Sequence, residues 1–104
     1  MEIFYAHDDV EKLLDTTGIA TRAKITRLFF LIAERGHMLG MPHVRRIAAG
    51  LYEARILGER NIRIFYTFRG GDIVLLHALS KKTQKLRSRD IDIARKRMKW
   101  LHEL

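Results

Sequence analysis

Cysteine is absent from the 104 residues, which excludes disulfides, thiolate nucleophiles and cysteine-based zinc sites. Proline occurs once, at Pro42, and tryptophan once, at Trp100. No apolar run approaches the ~20 residues that a membrane span requires. Nor does the chain open on a charged segment followed by an apolar stretch of the secretory kind. These features predict a cytoplasmic protein with no membrane partner. HExxH, a glycine-rich phosphate loop and GxSxG are all missing. The histidines at 7, 37, 43, 77 and 102 are scattered without metal-ligand spacing, so neither a metal nor a cofactor is expected.

Acidic residues are also scarce: 12 Asp/Glu stand against 20 Lys/Arg, for a formal net charge of +8. The surplus is uneven. Residues 1–50 carry 7 basic against 6 acidic side chains, a net of +1, and residues 51–104 carry 13 against 6, a net of +7. A charge concentrated in one half favours a polyanionic partner, either nucleic acid or an acidic protein. The length suits one domain spanning residues 1–104, and 47% hydrophobic residues argue for a packed core.

Hydrophobic periodicity predicts the elements. Ile3-Phe4-Tyr5 is β-prone and suits an edge strand. Asp8 reads as an N-cap with Glu11 three residues on, opening a short helix that buries Val10, Leu13 and Leu14. A second helix is expected from about Thr21 to Gly36, with Ile25, Leu28, Phe29, Ile32 and Ala33 in one stripe. His37 to Gly50 reads as a connector. Three strands follow, over residues 51–57, 62–68 and 73–79, with Gly70-Gly71-Asp72 supplying a tight hairpin. Ser88 caps a last helix whose stripe is Ile91, Ala94, Met98 and Leu101, with Arg95 to Lys99 on the solvated side. The order β-α-α-β-β-β-α describes an α+β domain: a small antiparallel sheet, two N-terminal helices on one face and a C-terminal helix.

Alternation along the strands places Tyr52, Ala54, Ile56, Ile62, Ile64, Tyr66 and Phe68 on a dry face. Glu53, Arg55, Arg63, Phe65 and Thr67 point to the other, which is expected to be open and cationic. Arg55 and Arg63 on neighbouring strands suit a clamp for phosphate oxygens, and they equally suit a cross-strand pairing with Glu53. Phe65 is a candidate for stacking on bases, whereas Tyr66 shares the core parity. His77 lies mid-strand among leucines, where it is either a packed, hydrogen-bonded residue or a general acid/base. Lys81, Lys82 and Lys85 follow the last strand and form either a phosphate-binding cluster or a solvated basic loop.

The strings Gly50-Leu-Tyr-Glu-Ala-Arg55, Arg63-Ile-Phe-Tyr66, Ile73-Val-Leu-Leu-His77 and Lys81-Lys-Thr-Gln-Lys85 together resemble the HigB-like branch of the RelE/ParE toxin superfamily. Arg22-Ala-Lys-Ile25 and Leu39-Gly-Met-Pro42 are similar to that branch too, and the likeness covers roughly residues 20–100. The resemblance implies a RelE-like fold and a phage-derived-like toxin of a type II toxin–antitoxin system. It implies an endoribonuclease that cuts messenger RNA on the ribosome and is neutralised by a small cognate antitoxin in a hetero-oligomer. By position, Arg55, Arg63, Lys81 and Lys82 correspond to catalytic cations and Lys85 to a nearby further cation; the strand reading adds Phe65 and His77 to Lys85 as candidate RNA contacts. A ParE-like inhibitor of DNA gyrase, or a weakly active RNA- or DNA-binding partner of an antitoxin, is the alternative. Two departures stand out: Glu53 replaces a lysine of the type member, and no tyrosine follows Lys82.

Overall fold

A computed structural model describes residues 2–40, 43–58, 60–80 and 88–103, with His37 as backbone alone. The chain begins with strand β1 (Ile3–Tyr5), followed by helices α1 (Asp8–Asp15) and α2 (Gly18–Arg35) and a single 3₁₀ turn at Gly36–Met38. Strands β2 (Val44–Ala48), β3 (Leu51–Ile56), β4 (Ile62–Arg69) and β5 (Asp72–Ser80) come next, and helix α3 (Ser88–His102) closes the order. Among the described residues this is an α+β fold with three helices on a five-stranded mixed sheet, consistent with the RelE-like fold.

The strands run β1-β5-β4-β3-β2 across the sheet. The β2–β3, β3–β4 and β4–β5 pairs are antiparallel, while β1 lies parallel to β5 at one edge. Two expectations change here. The sheet is mixed, not wholly antiparallel, because β1 reaches β5 only after α1 and α2 have carried the chain across a sheet face. The supposed connector also contains β2, whose pairing with β3 has an irregularity between Arg46 and Ala48 that interrupts its alternation.

Local chemistry accounts for the element ends. His7, in extended conformation, caps α1 one residue earlier than expected, its Nδ1 accepting the Asp9 N–H at 3.1 Å. Asp8, Asp9 and Glu11 then place negative charge at the positive end of the helix dipole. Gly70 and Gly71 both have positive φ, and Arg69 pairs with Asp72, which makes the β4–β5 connection a two-residue hairpin.

Each sheet face is packed. Val10, Leu14, Ile25, Leu28, Phe29 and Ile32 from α1 and α2 meet Ile62, Ile64, Tyr66, Ile73 and Leu75 on one side. On the other, Ala94 and Leu101 of α3 meet Leu51, Phe65, Val74 and Leu76, with Ile91 and Met98 at the margin. The single dry face expected from alternation is therefore two. Ala33, counted in the α2 stripe, is exposed, and Arg97 leaves the solvated side of α3. Its guanidinium donates to both Asp9 carboxylate oxygens, at 2.9 and 2.6 Å, and to the Leu76 carbonyl at 2.9 Å. That fork ties α3 to α1 and β5. No described helix is long and apolar enough to cross a membrane.

Candidate functional site

Strand register aligns a row of side chains across the α3 face. Arg45 pairs with Glu53, Glu53 with Phe65, and Phe65 with His77. In the adjoining row Arg55 stands directly opposite Arg63. Two like charges in that position repel, so something must compensate them. Glu53 does so. Its Oε2 accepts from Arg63 Nη1 at 3.3 Å, and its Oε1 lies 3.9 Å from Arg55 Nε and 3.8 Å from Arg45 Nη2. The carboxylate is fully buried, and Oε1 has no hydrogen-bond partner among the described residues.

Three guanidiniums around one carboxylate leave the cluster cationic while fixing its geometry. The arginines differ in exposure. The Arg63 side chain is 5% exposed, that of Arg55 21% and that of Arg45 47%. The expected pair of open arginines is thus a graded cluster, with Arg63 at its buried base and Arg55 and Arg45 towards solvent. The pairing with Glu53 weighed as the alternative is present: Arg63 reaches the acid across the strands, and Arg55 from two residues along the same strand.

Phe65 does not offer a stacking surface. It is fully buried under α3 in contact with Ala94's cluster, and its ring stacks on His77 at a centroid distance of 6.0 Å and 18° between planes. Alternation located its face correctly, but exposure depended on what α3 covers. Tyr66 is buried on the opposite face, as its parity implied.

His77 reaches the same face as Phe65 because the β4–β5 register shifts between Phe65 and Tyr66. Its Nε2 lies 3.0 Å from Asp90 Oδ1 in the first turn of α3, and both side chains are largely buried. His77 Nδ1 is buried and has no hydrogen-bond partner among the described residues. Sequence reasoning singled out neither Asp90 nor Arg45 as a site residue. The proximity of Asp90 to the helix start was visible, whereas β2 carries no regular alternation. Their convergence required the register and the docking of α3.

Lys81, Lys82 and Lys85 lie outside the described residues. No group of three or more His, Asp or Glu among the described residues is arranged to hold a metal.

Comparison with known proteins adds one positive finding. The family profile described as Phage derived protein Gp49-like (DUF891) matches residues 12–99. No curated protein matches the chain.

Proposed function

The chain belongs to the Gp49-like family of phage-derived proteins, a RelE/toxin-like family, and from this premise we propose that it is a single-domain toxin of a type II toxin–antitoxin system that cleaves messenger RNA on the ribosome. The motifs quoted from the sequence favour the HigB-like branch. The observation that carries the activity is the cluster of Arg45, Arg55 and Arg63 around buried Glu53. A phosphodiester whose own 2′-hydroxyl attacks needs in-line placement and charge stabilisation above all. As the O2′–P bond forms and the P–O5′ bond breaks, negative charge grows on the non-bridging oxygens. Guanidiniums held by a fixed carboxylate meet that charge without reorganising.

In this reading Arg55 contacts the phosphate, and Glu53, itself fixed by Arg63, offsets the repulsion between the two arginines from below. His77, with Nε2 held by Asp90 at 3.0 Å and Nδ1 buried, supports the strand beneath the cluster, so the 2′-hydroxyl proton passes to solvent and the departing 5′-oxygen takes one from it. Lys81 and Lys82 directly follow Ser80 on the strand that carries His77 and supply further cations, with Lys85 beyond them. The partners are a translating ribosome with its message, which places the protein in the cytoplasm, and a small cognate antitoxin that assembles with it.

The test is to express the protein under tight control and map 5′ ends of one message with and without its initiation codon. New ends confined to the translated message are expected, and they should vanish with Arg55→Gln while far-UV circular dichroism is unchanged. Arg63→Ala is a poor probe, because it strands a buried carboxylate. Growth arrest with intact messages overturns the nuclease reading and points to DNA gyrase. The absence of both arrest and cleavage overturns the toxin reading.

A further inference from the structure

A cleft of about 240 Å³ opens between α2 and the end of β3. Its floor is apolar, with Leu28 and Ile56, and its walls carry Lys24, Arg27, His43 and Arg55. None of the described lining residues is acidic. The volume lies below the ~300–1,000 Å³ of sites that enclose whole small molecules, and so suits one unit of a longer strand. Arg55 lines the cleft and also belongs to the Glu53 cluster, so the two sites, on opposite faces of the sheet, meet at this one residue.

The cations are placed, not merely present. Lys24 and Arg27 are three residues apart on α2 and share a face. Lys24 Nζ donates to the Leu57 carbonyl at 3.0 Å, which pins the ammonium at the cleft and leaves two of its three donors available. Gly58 makes the room for this. A Cβ added there would lie 2.9 Å from Lys24 Nζ. Arg27 is exposed and has no ion-pair partner among the described residues.

We propose that this cleft is a second anion site that holds one backbone phosphate of the RNA strand leaving the arginine cluster, with the adjoining sugar over the apolar floor. The inference rests on the nuclease reading and extends it to a named subsite. An acidic protein segment is the competing occupant, but Arg55, shared by the two sites, favours a strand that passes from the cluster round to the cleft.

The experiment uses a short fluorescent 2′-O-methyl RNA, which lacks the attacking hydroxyl and cannot be cut. Its affinity for the full chain is measured by anisotropy over a tenfold range of salt. Losing one phosphate contact on a single strand lowers the slope of log affinity against log salt by about 0.7, or about fivefold in relative affinity across that range. The Lys24→Met/Arg27→Met variant is expected to show that change. Gly58→Ala, whose Cβ displaces the Lys24 ammonium from the Leu57 carbonyl while leaving its charge in the chain, is expected to show at most part of it with the fold retained. An unchanged slope in Lys24→Met/Arg27→Met overturns the subsite and leaves the nuclease reading standing. A parent protein with no salt-dependent binding also overturns it, while cleavage of translated messages remains the separate test of the nuclease. Displacement of the RNA by inorganic phosphate at equal phosphate concentration identifies a free-phosphate site and refutes the strand assignment. Loss of antitoxin binding with an unchanged RNA slope assigns the cleft to the acidic partner and likewise refutes it.

Discussion

Replacing Glu53 with glutamine keeps the size of the side chain and removes its charge, so it isolates what the carboxylate does for the arginines around it. The Glu53 side chain has no exposure and that of Arg63 is 5% exposed, which prevents water from substituting when the pair is broken. Removing one partner of a buried pair costs up to about 3–5 kcal/mol, because the surviving charge loses its counter-ion. Glutamine still presents a carbonyl oxygen to Arg63, and a hydrogen bond to a charged group is worth about 1.5–3 kcal/mol. Glu53→Gln should therefore cost about 1–3 kcal/mol, and Glu53→Ala about 3–5 kcal/mol. The contacts to Arg55 and Arg45, at 3.9 and 3.8 Å, are longer and wetter and add little. Equilibrium urea unfolding, followed by Trp100 fluorescence and far-UV circular dichroism, measures these losses. The Glu53→Gln/Arg63→Gln double variant closes a cycle, and it should lose less than the two single variants together. A Glu53→Gln midpoint within about 0.5 kcal/mol of the parent, or a strictly additive cycle, would refute the view that this carboxylate compensates a buried arginine.

Phe65→Ala should cost about 3–5 kcal/mol in the same unfolding measurement, as expected of a fully buried ring; a loss below 1 kcal/mol would contradict its burial under α3. The Arg97 hydrogen bonds, with smaller help from neighbouring charge, hold the Asp9 carboxyl below its ordinary value of 3.8. A lowered carboxyl adds stability above the unfolded value and loses it as pH falls through the folded one. Asp9→Asn should thus lower the unfolding midpoint near neutral pH, with the difference from the parent closing below about pH 3.8 and shrinking in salt; a gap that persists in acid would count against the fork. Burial raises the Tyr66 phenol pKa, and its hydroxyl has no hydrogen-bond partner among the described residues. Tyr66→Phe should leave stability equal or higher, since no bond is lost and an unsatisfied group is removed; a loss above about 1 kcal/mol would reveal a partner for the hydroxyl.

Much of the architecture was legible in the sequence by itself. The 3.6-residue stripe of α2, the Ile91-Ala94-Met98-Leu101 stripe of α3 and the paired glycines at 70 and 71 each encode a local preference that the fold retains. Alternation likewise separated Tyr66 from Phe65 and put Glu53, Arg55 and Arg63 on one side of the sheet. These are properties of neighbours along the chain, and a local period reports them faithfully. Tertiary structure alone decided the rest. Whether a sheet face is dry or wet depends on what packs upon it, and α3 buries Phe65 on the face expected to be open. Strand β2 is half exposed at a sheet edge and has an irregular register, so it gains definition only by pairing with β3. The meeting of Arg45, Glu53, Arg55 and Arg63 spans three strands, and that of His77 with Asp90 joins a strand to a helix. Such convergence follows from register and docking, which no period within a single segment contains. The physical reason is that a side chain's direction is set locally, while its burial and its charge partners are set by elements distant in the chain.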